Sequence, residues 1–124
     1  MRFTIPIKPR TKKNHMQLVT LKTGKQLLLP SKAYKEFEKE VCDYILINYP
    51  TKPLIDYPIN LKCLFYKEKD YKADLAGYIQ AIQDTLVKAN ILKDDNHKIV
   101  QSTDGSRVEL DRKNPRIEIE ITKI

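Results

Sequence analysis

The pattern that most constrains this fold is an amphipathic helix that follows one alternating strand and precedes another. After Asp74, apolar residues recur every three or four positions and predict one buried stripe, made of Leu75, Tyr78, Ile79, Ile82, Leu86 and Ala89. Residues 59–66 and 116–122 instead alternate apolar and polar side chains, which is typical of half-buried strands. Asp74 can cap the start of the helix, and Asn90 can end it in the left-handed conformation. The order of these segments predicts helices packed against a sheet.

The rest of the chain extends this pattern. Ser31 is a natural N-cap for a second helix over about residues 32–48, whose apolar face consists of Tyr34, Phe37, Val41, Ile45 and Leu46. Residues 2–7 and 99–100 predict further strands, and residues 17–21 and 26–29 flank Gly24 as a hairpin. The sequence therefore predicts a single α+β domain over residues 1–124, with a mixed β-sheet of about four or five strands and two main α-helices.

Composition excludes several classes of protein. The chain has 124 residues, of which 41% are apolar and 31% charged, as in one globular domain rather than a disordered segment. It contains no apolar run near the roughly 18–20 residues that span a bilayer, so no membrane partner is expected. Cys42 and Cys63 form neither a CxxC pair nor a disulfide framework, which favours a reducing cytoplasm with both cysteines in the core.

Charge is distributed very unevenly along the chain. The formal net charge is +7, yet residues 1–35 hold no acid and nine bases, namely Arg2, Lys8, Arg10, Lys12, Lys13, Lys22, Lys25, Lys32 and Lys35. The remaining residues hold 14 bases and 16 acids, a net charge of −2. Most runs of charge are simply solvated surface. An acid-free basic third is nevertheless well suited to neutralising the phosphates of a nucleic acid.

Carboxylates are the chemical groups that this chain can deploy at a site, since it has only two histidines and three glycines. Asp74 precedes the predicted helix, and Asp94 and Asp95 follow it. Carboxylates that converge from separate loops can hold Mg²⁺, although Asp is equally ordinary at N-caps and in turns. A helix of about 16 residues separates these acids by roughly 24 Å. They meet within one chain only if the turn folds back along the helix.

Three short stretches carry a family resemblance: Lys72-Ala73-Asp74-Leu75-Ala76-Gly77-Tyr78, then Gln83-Asp84-Thr85-Leu86-Val87-Lys88-Ala89-Asn90, then Asp94-Asp95. Together they resemble the RusA family of Holliday-junction resolvases, whose pattern is DLDN at a helix start, D-x-L further along and a DD pair after the helix. The resemblance covers most of the chain. It implies a RusA-like fold and a small homodimeric endonuclease that uses Mg²⁺ (or Mn²⁺) to cut four-way DNA junctions in recombination and repair. Such proteins are often encoded by phages or prophages, and that origin is expected here.

The resemblance also implies roles for individual residues. Asp74 matches the family's first metal-binding aspartate and Asp95 the last, so these two are expected to bind the metal. Asp94 matches the other member of the DD pair, and Asp84 matches the mid-helix aspartate. All four are expected to form the catalytic set. The branched DNA is expected to be held by the bases Lys8, Arg10, Lys12, Lys13 and Lys72.

The chain departs from the family pattern at three positions. Ala76 stands where the family has its second aspartate, Gly77 where it has asparagine, and Gln80 where it has lysine. Either another acid (Asp84, Asp94 or Asp104) completes the site, or the protein binds junctions without cutting them. A non-catalytic junction-binding protein is therefore the alternative function. Tyr66 and Tyr71 can stack on unpaired bases, whereas Tyr34 is expected in the core.

Overall fold

A computed structural model describes residues 1–11 and 16–124. It contains nine elements in those residues: strands β1 (Arg2–Ile5), β2 (Met16–Thr20), β3 (Gln26–Pro30), β4 (Ile59–Lys67), β5 (Val100–Ser102), β6 (Arg107–Leu110) and β7 (Arg116–Lys123), and helices α1 (Lys32–Asn48) and α2 (Leu75–Lys88). The predicted α+β class and both helices are confirmed. The first strand ends at Ile5, two residues earlier than its alternation suggests, just before Pro6.

Five of the strands form one mixed sheet in the order β1-β7-β4-β5, with β6 also paired to β4. The strand β7 runs antiparallel to both of its neighbours, β1 and β4. In contrast, β5 and β6 run parallel to β4, β5 near its start and β6 near its end. The predicted mixed sheet is thus confirmed, and β6 is a strand that the sequence pattern alone did not identify. The β2–β3 hairpin forms a separate two-stranded sheet.

One face of the sheet forms half of the hydrophobic core. Every second residue of β4 points inward, so Ile59, Leu61, Cys63 and Phe65 are fully buried. Isoleucines of β7 at positions 117, 119 and 121 and residues of β1 continue the same layer. Lys67 occupies the next inward position of β4 and is 9% exposed, although it is a lysine. This exception lies where the chain leaves β4 for the loop that leads to α2.

Both helices cover that face, and both begin at the predicted caps. The Ser31 hydroxyl accepts a hydrogen bond from the Tyr34 N–H (3.2 Å), and the Asp74 carboxylate accepts one from the Ala76 N–H (3.1 Å). The predicted inward position of Leu46 is wrong, because its side chain is 69% exposed. It lies about 100° around the helix from Ile45, which places it beyond the edge of the buried stripe.

The end of α2 determines where the Asp94-Asp95 turn lies. Asn90 adopts the predicted left-handed conformation (φ 58°), and the chain then buries Ile91 and Leu92. The Lys93 N–H donates to the Ile55 carbonyl (2.9 Å), which fixes the chain just before the turn. No helix within residues 1–11 and 16–124 is long and apolar enough to cross a membrane. Of the two cysteines, Cys63 is buried, whereas Cys42 is only partly covered.

Candidate functional site

Asp74 lies exposed at the N-terminal end of α2, in a shallow pocket. One carboxylate oxygen caps the helix. The other has no hydrogen bond or ion pair with the residues that the structure describes. The pocket, called here the N-terminal pocket, is lined by Pro9, Arg10, Thr11, Tyr71, Lys72, Ala73, Asp74 and Tyr78. It joins one carboxylate to two basic side chains.

Gly77 explains why the N-terminal segment approaches so closely. A Cβ atom at Gly77 would lie 3.2 Å from the Thr11 Cγ2 atom, which is tighter than ordinary packing allows. Thr11 is buried against this part of the helix. The absence of a side chain at Gly77 therefore lets residues 9–11 rest on α2, which brings Arg10 beside Asp74. The family's asparagine at this position would occupy the space that Thr11 fills.

The other predicted DNA-binding bases are distributed around this pocket. The Lys8 ammonium pairs with the Glu68 carboxylate (2.5 Å), and both side chains remain partly exposed. That hydrogen bond, helped by the charges of Lys8, Lys69 and Arg10, lowers the pKa of the Glu68 carboxyl. Lys8 is thus a neutralised base at the rim rather than an isolated one. Lys12 and Lys13 lie outside the described residues.

A second concavity, the acidic cleft, lies at the other end of α2. It is lined by Glu38, Asp84, Val87, Lys88 and Asp95. Glu38 comes from α1, is 8% exposed, and accepts a hydrogen bond from the Lys88 ammonium (2.7 Å). The cleft therefore combines three carboxylates with one lysine and carries net negative charge. Sequence reasoning missed Glu38 and Lys88, although Glu38 follows Tyr34 by four residues and so shares its side of α1.

Tyr34 lies directly beneath this cleft. It is 1% exposed, which confirms that it is a core residue. Burial, followed by the negative charges of Glu38 and Asp84, raises the pKa of its hydroxyl, so that it stays protonated. The acidic cleft is thus backed by a buried, uncharged side chain.

The two aspartates of the DD pair face different surfaces. Asp95 lines the acidic cleft, whereas Asp94 lines a separate concavity with Asp56 and Asn96. Both oxygens of Asp94 are used within the turn: Oδ1 accepts from the Asp95 N–H (2.7 Å) and Oδ2 from the Asn96 amide (3.0 Å). Contacts with Asp95, chiefly through its N–H, also lower the pKa of Asp94. Asp94 therefore shapes the turn, and Asp95 is the member that joins Asp84.

The turn folds back far enough to reach Asp84 but not Asp74. Ten residues of helix separate Asp74 from Asp84, or about 15 Å along the axis. In residues 1–11 and 16–124, no group of three or more His, Cys, Asp and Glu side chains is arranged to hold a metal ion. The predicted ligands thus lie in two separate groups near opposite ends of α2, which are called here the half-sites.

Asp104 belongs to neither half-site. Its backbone N–H donates to the Asn60 side chain (2.9 Å), which places it near the start of β4. The loop to Asp74 leaves from Lys67, seven residues and roughly 23 Å further along that strand. A carboxylate at this distance is a poor substitute for the aspartate that Ala76 replaces.

Comparison with known protein families identifies the family of the chain. The family model for endodeoxyribonuclease RusA matches residues 6–122. The chain belongs to the RusA family. This family supports an endonuclease that resolves Holliday junctions, with branched DNA as its partner. A comparison with curated proteins finds no match.

Two of the positions that differ from the family pattern, Ala76 and Gln80, lie on the surface of α2. Ala76 and Gln80 are both exposed on the first turns of α2, and Ala76 supplies the N–H that Asp74 caps. The substitution at Ala76 therefore removes a carboxylate from solvent-facing surface without disturbing the fold. The N-terminal end of α2 keeps one of the two aspartates in the family motif.

Proposed function

We propose that this protein is a Mg²⁺-dependent endonuclease that acts as a homodimer on four-way DNA junctions. The observation that supports this most strongly is the pair of half-sites: a carboxylate among bases at one end of α2, and carboxylates in a cleft at the other. Phosphodiester cleavage needs both a grip on phosphate and a place for a hard cation. The two ends of α2 offer one of each.

The residues present fit a magnesium ion in their chemistry. Carboxylate oxygens are the protein ligands that Mg²⁺ prefers, and two such ligands with several waters suffice to hold it. Asp74 and Asp95 are the proposed ligands, with Asp84 as the adjoining carboxylate. When bound, Mg²⁺ stabilises negative charge on the phosphodiester and makes water a stronger nucleophile. Asp94 is assigned to the turn, because its two oxygens are already hydrogen-bonded there.

The proposed dimer provides the means to unite the half-sites. Within one chain they are about 15 Å apart along the helix, too far for one ion to bridge. A two-fold axis across α2 reverses the direction of the helix, so that the N-terminal end of one copy can face the C-terminal end of the other. Asp74 of one copy would then share a cation with Asp84 and Asp95 of a second copy. Such a dimer also carries two equivalent sites, as symmetric cutting of a junction requires.

Arg10 and Lys72 are proposed to hold phosphates beside Asp74. Both line the N-terminal pocket, and Lys72 is exposed. Lys8 extends the same basic rim, while Lys12 and Lys13 are proposed from sequence alone to continue it. Contacts of this kind position the DNA backbone and read no base sequence. Selectivity for a junction would then come from the shape of the DNA.

The test is cleavage of a synthetic four-way junction with and without Mg²⁺. Wild type is expected to cut only with the metal, and Asp74→Asn and Asp95→Asn are expected to bind the junction without cutting it. Asp104→Asn is the matched control, since it removes a carboxylate that lines neither the N-terminal pocket nor the acidic cleft, and it should cut normally. Equal cleavage by wild type and both site variants would overturn the assignment.

A non-catalytic junction-binding protein is the second candidate, favoured by the missing carboxylate at Ala76. It predicts tight, salt-sensitive junction binding with no metal-dependent cleavage by wild type. The double variant Ala76→Asp with Gln80→Lys restores the family residues at exposed positions. Cleavage that appears only in this variant would support a decayed site, whereas wild-type cleavage excludes it.

A further inference from the structure

Lys67 is a charged residue in a row of core residues. The alternation along β4 places it directly after Cys63 and Phe65 on the inward face. Its side chain is only 11% exposed. A buried ammonium group is costly unless its hydrogens reach acceptors, because it cannot keep its full shell of water. The positions of those acceptors indicate what the residue does.

All of its acceptors in the part of the chain that the structure describes belong to the loop of residues 68–73, which connects β4 to α2. The Lys67 ammonium donates to the carbonyl oxygens of Tyr71 (2.5 Å) and Lys69 (3.3 Å). It also lies 3.7 Å from the Asp70 carboxylate and 5.0 Å from the centre of the Tyr71 ring. One ammonium therefore binds the loop at three of its residues. Backbone carbonyls have a fixed place along the chain, so these contacts set the course of the loop.

The far side of the loop is fixed as well. The Tyr71 hydroxyl lies 3.0 Å from the Tyr78 hydroxyl, within hydrogen-bond distance. Tyr78 is a buried residue of α2, and its ring stacks on Phe65 with centroids 5.2 Å apart. At the near end, the Lys67 carbonyl accepts from the Asp111 N–H (2.8 Å). The loop is thus held between the sheet and α2, with Lys67 as its charged anchor.

The loop carries the basic side of the N-terminal pocket. Lys72 projects from it beside Arg10 and Asp74, and Tyr71 lines the same pocket. Asp74 itself is fixed by the helix that it caps. Loosening the loop should therefore displace Lys72 while leaving the carboxylate in place. Binding and chemistry would then respond differently to loss of the anchor.

We propose that Lys67 is a positioning residue. It holds the loop in one conformation, so that Lys72 binds a junction phosphate without the entropy loss of ordering a mobile loop. This inference rests on the proposed function, which supplies the DNA. Lys67 itself does not contact DNA, since its ammonium is enclosed by the loop that it holds. A preorganised loop binds more tightly than a mobile one, because less conformational freedom is lost on binding. Lys67 accordingly acts on KM and on junction affinity more than on kcat.

The test compares Lys67→Met with Lys113→Met. Methionine keeps an unbranched apolar stem and removes the ammonium, and Lys113 is an exposed lysine outside the loop, so both variants lose one charge. Lys67→Met should weaken junction binding without metal by about 10-fold, with kcat changed less than about 2-fold. Trypsin should cleave after Lys72 roughly 10-fold faster relative to cleavage after exposed Lys98, because the loop opens more often. Lys67→Arg should recover part of both effects, and Lys113→Met should show neither.

Three results would contradict the proposal. If Lys67→Met binds the junction as tightly as wild type and trypsin cleaves it at the wild-type rate, Lys67 does not anchor the loop. Weaker binding with unchanged proteolysis would make Lys67 a direct DNA contact, and an open loop with unchanged binding would make it structural only. If Lys67→Met does not fold, Tyr78→Phe takes its place by removing the hydroxyl on the other side of the loop, with the same direction expected for both readouts. The proteolysis experiment does not involve DNA. If wild type binds no junction, the proposed function is wrong, but proteolysis still tests whether Lys67 anchors the loop.

Discussion

The two ends of α2 differ in charge and in what surrounds them. At the N-terminal end, Asp74 is exposed among Arg10 and Lys72. At the C-terminal end, Asp95 lies with Asp84 and Glu38 in a cleft that contains a single lysine, Lys88. One helix therefore carries a phosphate-attracting end and a cation-attracting end. Under the proposed function, the phosphate-binding and cation-binding roles of the site are separated along this helix rather than gathered in one place.

Helix electrostatics make the two ends unequal in stability as well. An aspartate at the N-terminus of a helix is favoured by the helix dipole and by the N–H groups that it caps. Carboxylates near a C-terminus are disfavoured by the same dipole, and Lys88 in the last turn offsets only part of this. The acidic cleft thus places carboxylates near the end of α2 where the helix dipole disfavours negative charge.

The largest expected effect separates Asp95 from its neighbour Asp94. Asp95→Asn should lower Mg²⁺-dependent junction cleavage by at least about 100-fold, since it removes a proposed ligand and loss of even an outer-shell partner costs about 10–100-fold. Asp94→Asn should change cleavage less than about 3-fold, because an amide oxygen can still accept the hydrogen bonds of the turn. Cleavage rates of both variants at saturating Mg²⁺ provide the measurement. Equal losses in the two would show that the pair acts as a unit.

The next prediction concerns how much an ion pair at each end of α2 contributes to the stability of the fold. Lys88→Met should destabilise the protein by about 1–2 kcal/mol, because it leaves the buried Glu38 carboxylate without its partner. Lys8→Met is the matched variant at the other end, where the Glu68 pair is exposed, and it should cost less than about 1 kcal/mol. Urea denaturation gives both values. A larger loss of unfolding free energy in Lys8→Met than in Lys88→Met would contradict this prediction.

A further effect tests the phosphate role of the N-terminal pocket. Arg10→Gln and Lys72→Gln should each weaken junction binding several-fold and reduce the steepness of its salt dependence by about 0.9 per lost phosphate contact. Lys98→Gln removes the same charge at an exposed position near Asp94 and should leave the salt slope unchanged. Binding of a labelled junction over a series of salt concentrations gives the slopes. Slopes that do not change in the pocket variants would place the phosphates elsewhere.

The smallest effect is a pH dependence at the rim of the same pocket. Lys8 lowers the pKa of Glu68 below its ordinary value of 4.5 in the folded protein. Glu68 therefore adds stability that is present above pH 4.5 and is lost as the pH falls through the lowered value. The melting temperatures of wild type and Glu68→Gln should differ slightly at pH 7 and converge once the pH lies below the lowered pKa of Glu68. A gap that widens in acid would contradict the assigned sign.

Much of the fold could be predicted because its signals are local. Alternation identified β4 and β7, and the helical stripe with its caps at Ser31 and Asp74 identified both helices. β6 was missed because four residues with little burial leave no clear alternation. Leu46 was placed inward because apolar spacing alone does not mark the edge of a buried stripe.

The arrangement of side chains at the candidate site could be predicted from the sequence only in part. The sequence analysis ended the strand at residue 66; extending its alternation by one residue would have placed Lys67 inward, so the burial of Lys67 could have been predicted. That Asp94 and Asp95 face different surfaces follows instead from backbone geometry within the turn. Glu38 reaches the acidic cleft only through the packing of α1 on α2, which is a tertiary contact.

The most direct test of the central claim is complementation between two inactive chains. Co-expressed, differently tagged copies of Asp74→Asn and Asp95→Asn are purified as a mixed dimer and assayed for a Mg²⁺-dependent nick in a four-way junction. If each site takes Asp74 from one copy and Asp95 from the other, the mixed dimer contains one intact site, and nicking should return to about half of the wild-type rate. If each site is built within one chain, both sites of the mixed dimer are damaged. A mixed dimer as inactive as its parents would contradict the account.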